Sequence, residues 1–540
     1  MNENTLAAAE AALNSDKPKI FLPSEGRSVS EFAAQLGECL RKAEADIFIR
    51  GMRVVEARPP EKHKAAQIAE VDPERFRTWV EDYVVTMARR QTKMGNYDVI
   101  CSMSRDHAAA VLKSPQFQKC LRPLLRIYSC AVPAYAADGS MRLLKRGYDA
   151  AEAAYVSGLD DYVDEVKSDA EAKEILLDIF SEFRFEDDGR SLSVAIAAML
   201  TPYTRLLLRP TDNVPFFAYT ANDAGAGKTL CAKVATITMF GSGAETPVKK
   251  DPDEIPKVLA TKLLEGAGFI LFDNVRVALD CPALEAYATS GEVEDRLLRK
   301  NESVRGIPAV IYITGNGMKL RGDLPSRVLW VELFMPESDP SDRVFKRDLD
   351  EADLYPMRRR LLSACYRLVA SWVAAGRPVA KCTSRFKQWA KVVGSILRFH
   401  DFIDPTSKPT LKSGEMGEPE QIAMMIAGMD PSRKYTLTEV IDVCTEAGAF
   451  EDRLKEWKPD DETDKVIARA IRSYMGDVLR KIRGRIYNGR TLQREGTAKK
   501  RMYWVEEVRA GVPVGCDDRK EAEKCSFDLQ TTTTASFFPF

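Results

Sequence analysis

The apolar positions of this chain change period along its length. Residues 28–40 (SVSEFAAQLGECL) repeat at helical spacing, with serines available as caps. Residues 47–56 (IFIRGMRVVE) read as a hairpin about Gly51, and 19–22 (KIFL) as a short strand after a loose terminus. Residues 72–121 read as helix-rich and basic. Short extended pieces follow at 131–135 and 141–144 around the Asp138-Gly139 turn, then helices at 170–183 and 191–207. The expectation for 1–190 is therefore a mostly helical region. Between 214 and 333 the pattern changes. Short continuous apolar runs at 216–220, 268–273, 307–314 and 327–333 alternate with helical segments. Strands buried on both faces read this way, which predicts an α/β domain with a parallel sheet over 191–349. Residues 350–404 read as a helical extension. Residues 405–435 read as a linker, centred on the Pro-, Gly-, Ser- and Lys-rich stretch 406–420. Within 436–506 the order is helix, helix, strand, strand, and 507–540 loses periodicity and reads as a disordered tail.

A chain of 540 residues accommodates three or four domains at about 150 residues each. The net charge of −1 excludes a uniformly basic nucleic-acid coat, so any such binding must come from local patches. No apolar run reaches about 18 residues, so no membrane-spanning helix is expected, and the start lacks the basic-then-apolar order of a secretory signal. The eleven cysteines are scattered singly, without a C-x-x-C pair; this fits reduced thiols and a cytoplasmic location. The three histidines, His63, His107 and His400, stand alone, which disfavours metal ligation or catalysis by them.

The most specific chemistry lies at 216–229 (FFAYTANDAGAGKT), where a strand feeds a Gly-containing loop that opens a helix. Asn222, Asp223, Ala224, Gly225, Ala226, Gly227, Lys228 and Thr229 form the expected nucleotide-binding loop. In it, backbone N–H groups of residues 225–229 would wrap the β-phosphate of a nucleoside triphosphate at the helix N-terminus, where the dipole favours anions. Lys228 would reach the β- and γ-phosphates and the Thr229 hydroxyl would ligate Mg²⁺. Asn222 stands where the usual motif has its first glycine. The run 268–274 (GFILFDN) ends in Asp273, an acid placed to hold Mg²⁺. Asn274 replaces the usual second carboxylate, which leaves the water-activating base open, with Asp280 and Glu285 nearby. A third run ends in Asn316, which can orient attacking water. Arg327, after GDLPS, can stabilise γ-phosphate charge in a neighbouring subunit, with Arg321 as its rival.

These residues together resemble the AAA+ ATPases. Within them they resemble the superfamily 3 helicases, and more narrowly the helicase half of primase–helicases of poxviruses, phages, plasmids and integrated elements. AGAGKT, FDN, the 284–291 segment, TGN and GDLPSR occur in that family's order, and the likeness is strongest over 197–333. The resemblance implies ATP and Mg²⁺ as cofactors and a hexameric ring with ATP sites between subunits. It also implies a DNA-gripping hairpin, here residues 293–304 with residues 299–302 at the tip, where Arg299 and Lys300 would meet DNA phosphate. The N-terminal region shows no primase site, so a primase or polymerase partner would be a separate chain.

Residues 467–502 carry eleven Lys/Arg against Asp477 and Glu495, a local net of +9, interleaved with Tyr474 and Tyr487. With Asn488-Gly489 as a turn between strands, this reads as a winged-helix-like module whose Arg483, Arg485, Lys499, Lys500 and Arg501 face single-stranded or forked DNA. The C-terminal FFPF reads as a frayed end, with a clamp-docking role as the minor alternative. The reading is a replicative, ring-forming DNA helicase of a mobile element. Two other classes stay open: a DNA-binding initiator or helicase loader that unwinds nothing, and a protein-remodelling or defence ATPase.

Overall fold

The computed structural model describes residues 16–24, 27–92, 95–187, 189–222, 225–248, 254–275, 279, 281–291, 293–295, 302–304, 309–318, 320–334, 349–382, 384–407, 418–449, 464–482, 486–487, 490–496 and 501–507. The chain divides into two compact units, Met1–Pro409 and Thr410–Phe540.

The centre of the first unit is a five-stranded, wholly parallel sheet in the order Glu245–Pro247, Phe269–Asp273, Val310–Thr314, Phe216–Ala221, Val328–Leu333. Four of its strands are the expected continuous apolar runs, and alternation explains why they are continuous; the edge strand Glu245–Pro247 is not apolar and was not expected. Phe217, Tyr219, Phe269, Leu271 and Tyr312 pack into one core. Their neighbours Phe216, Ala218, Ile270, Phe272, Ile311 and Ile313 pack into another on the opposite face. Both faces are covered, so successive positions along these four strands are apolar up to the polar residues near their C-terminal ends, Thr220, Asp273, Thr314 and Glu332. Lys228–Phe240, Arg190–Tyr203 and Glu351–Ala374 contribute to the first core; Glu254–Leu264 and Pro282–Ser290 contribute to the second. The helix Arg190–Tyr203 is buried almost all round, which marks it as a central rather than a surface helix.

The helices of 350–404 were expected as a separate extension. Leu361, Leu368, Trp372, Trp389 and Val393 instead share one core with the sheet and with residues 130–207. Trp389 donates its indole N–H to Thr201 at 2.9 Å. Arg377 donates to the Gly139 carbonyl at 2.7 Å and lies over the Tyr135 ring, so the Asp138-Gly139 turn and the Gly376-Arg377-Pro378 segment meet in space.

The N-terminal region departs from expectation: it is mixed α/β rather than mostly helical. The helix Val29–Lys42 forms with a Ser28/Glu31 capping box, and the hairpin about Gly51 pairs Ile47–Arg50 with Arg53–Arg58. Residues 72–121, however, hold only the short helices Pro73–Val80, Arg105–Leu112 and Pro115–Gln118, together with the antiparallel strands Val85–Thr92 and Gly95–Ile100. Residues 95–100 are mostly exposed, so the polar residues of this pair carry no buried face to mark a period of two. Further strands at Arg126–Cys130, Gly147–Asp149 and Ala154–Leu159 form a small mixed sheet.

In the second unit the helices Glu418–Ala427, Leu437–Glu446 and Asp464–Ile482 accompany a four-stranded antiparallel sheet. Its order is Tyr435–Thr436, Met502–Glu507, Arg490–Glu495, Ile486–Tyr487. The first of these helices corrects the expected linker. Ile422, Ala423 and Ile426 are core residues here, so the helix Glu418–Ala427 belongs to the folded unit. The expected tail beyond residue 507 lies outside the described residues. Nine cysteines of the described residues are free thiols. No described helix is long and apolar enough to cross a membrane.

Candidate functional site

The parallel sheet brings three sequence-distant segments to one edge, at the C-terminal ends of its strands. Ala221 ends the first strand and Asn222 begins the loop; Asp223 and Ala224 lie outside the described residues. Gly225 and Gly227 take φ of 79° and 84°, a left-handed backbone that costs a glycine little. Gly227 is the N-cap of the helix Lys228–Phe240. An added Cβ at 227 would also stand 3.2 Å from the Phe183 ring, so the loop is fixed by both its torsion and its neighbour. Helix-terminal N–H groups here have no intrahelical acceptor, which is the condition for holding an anion.

Thr229, on the first turn of that helix, donates its hydroxyl to Asp273 Oδ1 at 2.7 Å. Thr314, at the end of the intervening strand, donates to the same oxygen at 2.6 Å. The Thr314 hydroxyl also accepts the Asn274 N–H at 3.0 Å, and the Thr314 carbonyl accepts the Val275 N–H at 2.8 Å. Thr314 therefore sets the direction of the Asp273 carboxylate and holds the chain just after it. Sequence reading missed this role because it weighed the polar end of that strand by Asn316 alone. Asn316 is exposed, two residues beyond Thr314. Gly315 between them is required by space, since a Cβ there would lie 2.4 Å from the Val275 carbonyl oxygen. Asn274 is exposed and holds φ of 54°.

Thr314→Val keeps the shape of a nearly fully buried side chain but removes both hydroxyl bonds. The expected result is a loss of about 1–3 kcal/mol of stability, read as a lower denaturation midpoint, with Thr314→Ser retaining most of it.

Arg327 lies elsewhere. Phe216 pairs with Val328 and Ala221 with Leu333, so Arg327 precedes the sheet edge opposite the loop, about 20 Å away along a six-residue strand. Its guanidinium donates to Asp323 at 2.6 Å and to the Thr289 hydroxyl. Arg385, a residue the sequence did not single out, donates to the other Asp323 oxygen at 3.0 Å and to Ser326. Hydrogen bonds from Ser326, then Arg385, then Arg327 hold the Asp323 carboxyl down at about 2. Arg327, Arg385 and Lys387 line one cleft of about 380 Å³ together with Asp212, Asn213 and Thr289. Of the rival residues, Arg321 is exposed. Glu285 accepts the Asp323 N–H at 2.6 Å, beside the arginine cleft, and Asp280 lies outside the described residues.

The hairpin expected before the third run is present in the backbone. Val293–Asp295 pairs antiparallel with Glu302–Val304, and Asp295 opposes Glu302. Glu302 is thus part of the strand rather than the tip. Arg299 and Lys300 lie outside the described residues, as do Arg483, Arg485, Lys499 and Lys500. Arg501 is described. With Arg480 and Arg494 it lines a cavity of about 90 Å³ against Leu492 and Tyr503 in the second unit. Among the described residues no cluster of His, Cys, Asp and Glu could hold a metal by itself.

No protein-family model matches the chain, and no curated protein does. Among solved structures, the chain is similar to the A-form apo structure of the NrS-1 C-terminal region at 10% identity; the match covers 84% of this chain and 97% of that one, with a TM-score of 0.35. A 305–718 form of the same region gives 12% identity, coverage of 82% and 87%, and a TM-score of 0.32. The SCCmec type IV Cch active helicase gives 11% identity, coverage of 68% and 75%, and a TM-score of 0.27.

Proposed function

We propose that this chain is an ATP-dependent DNA helicase: a ring-forming, expected hexameric, motor that moves on single-stranded or forked DNA in the replication of a mobile element. The observation that carries the reading is the convergence on Asp273. The first hydroxyl of the helix that the glycine loop opens, Thr229, lies within hydrogen-bond distance of Asp273, an acid from another strand end. This donor set fits a nucleoside triphosphate with Mg²⁺. On this reading backbone N–H groups and Lys228 hold the phosphates, and Thr229 and Asp273 offer two hard oxygen ligands, the kind Mg²⁺ prefers. Bound ATP and Mg²⁺ supply the phosphoryl chemistry. The chain's own groups bind and orient: Thr314 locks the carboxylate, and Asn316 stands at the same strand end, available to position water.

Arg327 cannot reach the loop of its own chain, since a sheet strand separates them. Its service at a phosphate would come from an adjacent protomer, which makes the site an inter-subunit one and hydrolysis dependent on ring assembly. Asp323 holds Arg327 in the single chain, and Arg385 on the same carboxylate is available as its replacement partner when Arg327 turns outward. The backbone hairpin at 293–304 and the arginine-lined surface of the second unit are the two places proposed to hold DNA, the latter through phosphate rather than base contacts. A primase or polymerase would act as a separate partner.

The deciding experiment is unwinding of a forked duplex by the full chain with ATP. We expect strand separation together with DNA-stimulated ATP hydrolysis. ATP-dependent DNA binding without separation would assign the chain to initiators or loaders, and hydrolysis indifferent to DNA would assign it to protein-remodelling or defence ATPases.

A further inference from the structure

At the opposite edge of the parallel sheet from Asp273, three arginines line a small cavity in the first unit. Arg50 comes from the end of the strand Ile47–Arg50, Arg126 from the start of Arg126–Cys130, and Arg205 from the turn after the helix Arg190–Tyr203. Leu263, residues 266–268, Phe240 and Val310 complete most of the wall. No Asp or Glu is among the lining residues. Arg50 donates to the Leu263 and Leu264 carbonyls at 3.0 and 3.1 Å and so caps the helix Glu254–Leu264. Arg205, 3% exposed, gives its terminal nitrogens to the carbonyls of Arg209, Pro210 and Asp212. Arg126, 8% exposed, donates to the Tyr128 hydroxyl at 3.3 Å. Among the described residues, Nε of Arg126 and Nε of Arg205 have no hydrogen-bond acceptor.

Burying cations with little counter-charge is costly; no acid lines the cavity, and the nearby Asp212 carboxylate offsets only part of the cost at Arg205. The strain is visible at Arg50 and Arg205, whose burial pushes their guanidinium pKa down, Arg205 to about 10. Arg126 adds to the effect on Arg205 as a nearby like charge. A bound anion would relieve all three at once. The cavity volume, about 40 Å³, has room for about three water-sized spheres, which suits one tetrahedral oxyanion and not a nucleoside. Leu125, 48% exposed, stands in the lining and gives the cavity a solvent-facing side.

We propose that this cavity binds a single phosphate-class oxyanion, held by the free Nε–H groups of Arg126 and Arg205, and that the anion ties the N-terminal strands to the base of the parallel sheet. The site is separate from the glycine loop and does not depend on the helicase reading.

The test is calorimetric titration of inorganic phosphate into the full chain, with sodium chloride at matched ionic strength as the control. The measurement is made in a Lys228→Ala background, so that the glycine loop contributes little. We expect one phosphate per chain and a raised melting temperature. Arg126→Met should weaken phosphate binding by about tenfold or more, the loss of a charge-assisted hydrogen bond. In phosphate-free buffer the same variant should melt no lower than its parent, because a buried unpaired charge has been replaced by an apolar side chain. Should Arg126→Met fail to fold, Arg126→Leu carries the same comparison, since it too removes both the charge and the Nε–H. Equal affinity with and without Arg126, equal stabilisation by chloride, or no binding at millimolar phosphate would each overturn the proposal.

Discussion

Lys228→Ala is expected to lower ATP turnover by at least about 10²–10³-fold, the scale seen when one preorganised donor to developing charge is removed. Lys228 begins the helix whose N-cap is Gly227, and on the proposed reading its ammonium acts where negative charge builds on a transferring phosphoryl group. The fold should survive the change. Lys228 is partly exposed, and the bonds that shape the neighbourhood run through Thr229, Thr314 and Asp273. A melting temperature within a few degrees of the parent, with turnover near background, is the expected pair of results. Retained turnover would remove the glycine loop from the chemistry and the motor with it.

Arg327→Ala carries the second large effect, a loss of about 10³-fold or more in turnover if the guanidinium acts on γ-phosphate charge. Nucleotide binding should change far less, because Arg327 lies at the far edge of the sheet from its own loop. Mixing sharpens the result. Arg327→Ala protomers keep Lys228, and Lys228→Ala protomers keep Arg327. Combined, the two inactive variants should recover a measurable fraction of activity, since some interfaces then pair an intact loop with an intact arginine. No recovery on mixing, where both variants still co-assemble, would place Arg327 in a purely structural role beside Asp323. Arg385→Ala separates the two arginines: it removes one partner of Asp323 while leaving Arg327 its own bond.

Some parts of this molecule are legible without coordinates. Continuous apolar runs at 216–220 and 268–273 announce strands covered on both faces, and the structure builds them as such. The Ser28 cap and the Gly51 hairpin follow from turn chemistry and period, whereas the paired strands of 293–304 were expected only from the family resemblance. Other parts are not legible. Val85–Thr92 and Gly95–Ile100 form a strand pair whose polar stretch, Arg89-Arg90-Gln91-Thr92, mimics a solvated helix. Residues 418–427 look like the end of a linker because their Pro and Glu outweigh one apolar stripe, yet that stripe enters the core of the second unit.

The sequence by itself determined that the runs at 216–220, 268–273, 307–314 and 327–333 are buried strands, where the phosphate-type loop falls and which strand ends in an acid, because these depend on period and on turn residues a few positions apart. Only the tertiary structure decided that Thr314 turns onto Asp273, that Arg327 and Arg385 share Asp323 at the other edge, and that Arg50, Arg126 and Arg205 close on one cavity. The reason is physical. Parallel strands are joined by long crossovers, so neighbours in the sheet are separated by tens of residues in the chain, and no local pattern records which of them will touch.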